Sequence, residues 1–116
     1  MGKQIEDLKR KILEFRDRRN WKQFHNPKNL ALSITIEAAE LMELFQWLNM
    51  EESLEFSKKN KKEIESEIAD IFNYLILMCN DLDIDLVEVT KKKLKISEKK
   101  YPVEKAKNKS TKYNKL

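Results

Sequence analysis

Apolar residues recur three and four positions apart along nearly the whole chain, a spacing that lines them up on one face of an α-helix. Ile5, Leu8, Ile12 and Phe15 mark a first amphipathic helix over residues 3–19. The periodicity lapses over residues 20–29, where Pro27 signals a connection that would carry Trp21, Phe24 and His25. Leu30, Ile34, Leu41, Leu44 and Leu48 then stripe a second helix over 28–49. Residues 51–59 suit a short helix or a loop equally well. A third helix is predicted over 61–82 and a fourth over 84–99, with Asp83 as the N-cap of the fourth and Pro102 as its stop. The expected architecture is all-α: a four-helix bundle over residues 1–102, followed by a tail, 103–116.

The third helix differs from the others. From Ile68 to Cys79 its apolar residues cover almost the full circumference, interrupted by Asp70 and Asn73. A helix apolar on every side is buried on every side, and four helices of this length cannot wrap it alone. A homo-oligomer is therefore expected.

Composition reinforces the helical reading and removes several chemistries. One Gly and two Pro in 116 residues leave too few turn residues for a β-fold. Glycine-rich phosphate loops are excluded too, since the only glycine is Gly2. The single cysteine, Cys79, excludes an internal disulfide and a thiolate zinc cluster, and it fits a reducing cytoplasm. No apolar run reaches the roughly 20 residues that span a bilayer, and no signal-peptide pattern is visible. A membrane partner is not expected.

The net charge of +4 conceals a division: residues 91–116 hold 11 lysines against Glu98 and Glu104, whereas residues 1–90 carry 18 acidic and 13 basic groups. An acidic body thus bears a basic tail, which suits either a solvated terminus or a counter-charge for a polyanion.

Some of the acids stand where acids are costly. At about 100° per residue, Glu37 falls inside the arc set by Ile34, Leu41, Leu44 and Leu48, with Glu40 one turn on at its edge. Glu67 and Asp70 repeat the same i, i+3 spacing on the third helix, beside Ile64, Ile71 and Tyr74. Buried carboxylates without partners cost several kcal/mol each, so positive charge must lie among them. Lysine or arginine side chains, or a metal ion, would supply it. A metal site here would be all-oxygen: His25 has Lys22, not Glu, three residues before it, so the Glu-x-x-His pattern of di-iron bundles is missing. Carboxylates without imidazole or thiolate favour Mg²⁺, with Mn²⁺ able to substitute.

The two pairs, Glu37 with Glu40 and Glu67 with Asp70, resemble the ExxE…ExxD signature of the MazG-like, all-α nucleoside triphosphate pyrophosphohydrolases. Their surroundings strengthen the likeness: Trp21, Phe24, His25, Pro27 and Asn29 before, Phe45 and Trp47 overlapping, and Lys93, Tyr101, Pro102, Lys112 and Tyr113 after. These are similar to the dCTP pyrophosphatase branch, across almost the whole chain.

The resemblance implies a reaction and a set of roles. A nucleoside triphosphate, dCTP favoured, would be cleaved to monophosphate and pyrophosphate. Glu37, Glu40, Glu67 and Asp70 would hold Mg²⁺ and serve as the catalytic acids, one of them also orienting or deprotonating water. Lys93 would contact phosphate, with Lys112 of the tail assisting it. Trp21, His25 and Trp47 would line the base pocket with Tyr74 close by, and Tyr101 would belong to the substrate-binding set. Ser97 stands where the branch commonly has an Asn that contacts the nucleotide, so sugar or base discrimination is expected to differ. The family further implies a tetramer, a dimer of dimers with sites completed across subunits. Two other readings compete: a dUTPase-like or phosphoribosyl-ATP-type enzyme on the same scaffold, and a non-enzymatic helical protein whose basic end binds nucleic acid. The second leaves the acids unexplained, so nucleic acid is not the expected partner.

Overall fold

A computed structural model describes residues 2–116, and the described residues are helical with no strand. Helix α1 runs Lys3–Arg18, α2 Pro27–Glu43, α3 Met50–Lys59, α4 Lys61–Asp81, α5 Leu86–Lys100 and the single-turn α6 Val103–Ala106; 3₁₀ turns lie at Trp21–Phe24 and Tyr113–Lys115.

Local chemistry sets each boundary. Helix α1 stops where Asn20 takes a left-handed conformation (φ 54°), a region that Asn tolerates better than most residues. Asn26 caps α2, its side-chain oxygen accepting the Asn29 N–H at 2.8 Å, and Pro27 occupies the first helical position, where a missing N–H costs nothing. Helix α2 ends six residues before the predicted limit. Its last turn tightens, with Leu44 bonded to Leu41 and Phe45 to Met42, because Asn49 begins the next helix. Asn49 and Glu52 form a reciprocal capping box at 2.9 Å in both directions, which settles 51–59 as helix α3. A single residue, Asn60, joins α3 to α4. The fourth long helix also starts later than predicted. Asp83 is left-handed (φ 53°) and cannot cap it; Asp85 does, accepting the Glu88 N–H at 3.1 Å.

Helices α2 and α4 form the principal pair, α1 and α3 lean on α4, and Leu30, Ile76 and Leu77 are the buried apolar residues at the centre. Phe45 meets Phe56 edge to face at 5.5 Å, closing the α3 side. Arg16 crosses from α1 to α4, pairing with Asp81 at 3.3 Å and with Asp17 at 2.9 Å. The expected four-helix bundle is therefore a body of α1–α4, with α5 and the tail largely outside it. Tyr113 folds back on the end of α5, its ring 6.0 Å from that of Tyr101 and under the Lys100 ammonium at 4.6 Å.

The described chain is open for its size. Its radius of gyration is 17.6 Å, against about 13 Å for a compact domain of this length. It exposes 9482 Å², against roughly 6,700 Å² for a compact monomer of 13.9 kDa. Leu32, Ile36, Leu54, Ile68, Leu94 and Val103 are all exposed.

Candidate metal centre and adjoining cavity

The pairing of α2 with α4 brings the two acidic motifs together. Glu37, Glu67 and Asp70 each offer a carboxylate oxygen within 4.8 Å of the others, all half-buried. Glu40 lies against them on α2: it is among the groups that raise the pKa of both Glu37 and Glu67. Desolvation and then the neighbouring acids lift Glu37 from 4.5 to about 7, and the same causes raise Glu67.

Two further observations bear on what belongs there. Among the described residues, no lysine or arginine forms an ion pair with any of the four acids. One oxygen of Glu37 and one of Glu67, both Oε2, are buried with no hydrogen-bond partner. The salt-bridge alternative thus fails, and the orphaned oxygens fit a hard cation. Oxygens on one Mg²⁺ at about 2.1 Å lie at most about 4.2 Å apart, so only a small closure of the cluster would bind it.

Asp70 also belongs to a neighbouring cavity of about 410 Å³ between α1 and α4. Ile12, Phe15, Trp21 and Leu77 give it apolar walls; Lys11, Arg16, His25, Asn73 and Tyr74 give it polar ones. Phe15 and Trp21 meet edge to face at 5.7 Å, and the Arg19 guanidinium covers Phe15 at 3.7 Å, bracing that wall. The Nδ1 of His25 is buried without a partner. A flat, partly polar guest of nucleobase size suits this space.

The predicted residues therefore divide. Glu37, Glu40, Glu67 and Asp70 come together, and Trp21, His25 and Tyr74 line the adjoining cavity with Asp70. Trp47 does not. It lies beyond the end of α2, which stops at Glu43, and is 86% exposed. Lys93 and Ser97 line a separate shallow hollow on α5, and Tyr101 packs on Tyr113 beyond it. Lys112 is exposed in the tail. Phe15, Arg16 and Asn73 line the cavity without having been singled out; Phe15 was visible only as part of an apolar stripe, and Asn73 as a polar break one turn beyond Asp70.

A MazG-like family model matches residues 32–116. The chain belongs to the MazG-like family. This MazG-like chain is 34% identical over 114 residues to dCTP pyrophosphatase 1 of Homo sapiens, spanning 97% of the chain and 67% of that protein. The Bos taurus dCTP pyrophosphatase 1 is likewise 34% identical, with 68% of its length covered. Among solved structures, a pyrophosphatase from Archaeoglobus fulgidus superposes with a TM-score of 0.84 at 44% identity, covering 88% of this chain and 95% of that one. The resemblance read from the motifs is borne out, and the MazG-like chain is a nucleoside triphosphate pyrophosphohydrolase. No helix of the described residues is long and apolar enough to cross a membrane.

Proposed function

We propose that the protein hydrolyses the α–β phosphoanhydride of a deoxynucleoside triphosphate, dCTP foremost, to the monophosphate and pyrophosphate, with Mg²⁺ as cofactor and Mn²⁺ as a substitute. The observation that carries this reading is the convergence of Glu37, Glu67 and Asp70, with no lysine or arginine ion-paired to them among the described residues, beside an aromatic cavity. Glu37, Glu40, Glu67 and Asp70 would hold the ion. When bound, it supplies positive charge against the triphosphate oxygens and lowers the cost of charge on departing pyrophosphate.

The chain's own groups supply the rest. Asp70 belongs to both cluster and cavity, so a base in the cavity leaves its phosphates beside the acids. Trp21 and Phe15 offer ring surface to the base, and His25 Nδ1 a hydrogen-bonding atom to its edge. One of the four carboxylates would also orient or deprotonate the attacking water.

Lys93, Ser97, Trp47, Tyr101 and Lys112 lie outside this cavity. In our reading they reach a site contributed by another subunit of a homotetramer, a dimer of dimers, in which the exposed apolar faces of α2, α4 and α5 are covered and the basic tail, 103–116, folds over the acids. The compartment is the cytoplasm, in keeping with the lone thiol.

A panel of the common dNTPs and NTPs with Mg²⁺, assayed for pyrophosphate and orthophosphate separately, tests the reading. Pyrophosphate release fastest from dCTP is expected. Release from none of them, or orthophosphate as the first product, would overturn it; a preference for dUTP would keep the reaction and change the substrate.

A further inference from the structure

Arg16 is the buried charged residue among the described residues, 5% exposed, and it lines the cavity that also holds Asp70, Trp21 and His25. Burying a guanidinium is costly unless its hydrogen bonds are met. Here its Nε and Nη2 lie 2.9 Å from Asp17 on the same helix, and its Nη1 is 3.3 Å from Asp81 on α4. Arginine carries five N–H donors in a rigid plane. Hydrogen bonds from Nε to Asp17 and from Nη1 to Asp81 fix its orientation from both sides, with Nη2 in ion-pair contact with Asp17, and N–H donors on both Nη1 and Nη2 remain.

We infer that Arg16 is a specificity-determining residue: its remaining N–H donors face the base and select a pyrimidine with two adjacent acceptors. The inference rests on the proposed reading that the cavity receives the base. Cytosine offers N3 and O2 side by side as acceptors, a match to a fork of parallel donors. Uracil and thymine place an N3–H donor between two carbonyls, so one donor of Arg16 would meet another donor. A site built to hydrogen-bond one edge rejects the wrong edge strongly, because its own buried groups are left unpaired. Guanine also presents adjacent acceptors, in O6 and N7, so the comparison is confined to pyrimidines, which stack alike.

The competing role for Arg16 is a clamp that merely ties α1 to α4. Two variants separate them. R16M/D81N removes the guanidinium and neutralises the carboxylate it leaves on α4, while Asp17, 56% exposed at its side chain, stays solvated. D81N alone loosens the clamp and keeps the guanidinium. The measurement is kcat/KM for dCTP and dUTP, with melting temperature and helical circular dichroism recorded for each protein. The dCTP-to-dUTP ratio is expected to fall roughly ten- to a hundred-fold in R16M/D81N, mostly through dCTP, and to hold in D81N. An unchanged ratio in the double variant, an equal fall in both variants, or a wild type that prefers dUTP overturns the inference while the pyrophosphohydrolase stands. A wild type that releases pyrophosphate from no nucleotide overturns both.

Discussion

At the scale of single residues, the energetics turn on Glu37. Its carboxyl is raised to about 7 by burial and by Glu40, Asp70 and Glu67, so the folded protein binds a proton there that the unfolded chain releases near 4.5. Stability of the metal-free protein should therefore be highest below about pH 4.5 as far as this group is concerned, and be lost as pH rises through about 7. Glu67 shifts in the same direction and adds to the trend. Chemical denaturation at a series of pH values in chelator, then in Mg²⁺, checks this. Mg²⁺ should flatten the decline, because an ion compensates the charge that deprotonation uncovers. Glu37→Gln should raise the metal-free melting temperature and abolish turnover. Asp70→Ala should likewise cut kcat/KM at least about a hundred-fold with helicity intact, since it removes a ligand and not a packing residue.

The acids were legible in the sequence for a physical reason: a charge within an apolar arc contradicts the rule that fills the arc, and that contradiction needs no structure to be seen. The same rule applied to α1 points to Arg16, one turn from Ile12 on its stripe, although arginine stems often snorkel from such positions. The cavity itself was not legible. It forms where the stripe of α1 meets Asp70 and Tyr74 of α4, residues more than fifty positions away.

At the scale of elements, the errors in reading the chain were errors of boundary. The apolar spacing that continued through Leu44 and Leu48 extended α2 to residue 49, yet Asn49 and Glu52 carry a capping box that starts a new helix there. Backbone hydrogen bonds captured by a side chain outweighed a periodicity that a turn can mimic. Asn49→Ala should destabilise the protein by about 1 kcal/mol, a loss of a few degrees in melting temperature. Trp47 depends on the same boundary. Because it lies in the turn after α2 and is exposed, it does not line the cavity of its own chain.

At the scale of the whole molecule, the described chain buries little. Leu30, Ile76 and Leu77 form a small centre, and an extended α5 carries Leu94 exposed. The all-round apolar pattern of α4 already pointed to burial by neighbours, but which surfaces meet is not written in one chain's periodicity. Sedimentation at micromolar concentration is expected to give a tetramer, and Leu94→Glu to shift it toward smaller species with loss of turnover. A monomeric, active wild type would contradict the assembly. Deleting residues 103–116 should raise KM for the nucleotide several-fold with little change in melting temperature; an unchanged KM would mean that the tail is only solvated.

The account stands on the acids of α2 and α4 gathering around one hard cation. Crystals soaked in Mn²⁺ and a non-hydrolysable dCTP analogue, measured for anomalous scattering, test that directly. The account predicts an ion bound by oxygens of Glu37, Glu67 and Asp70 at about 2.0–2.3 Å, with the base beside Trp21. Carboxylates turned away from one another with the manganese signal elsewhere would contradict it.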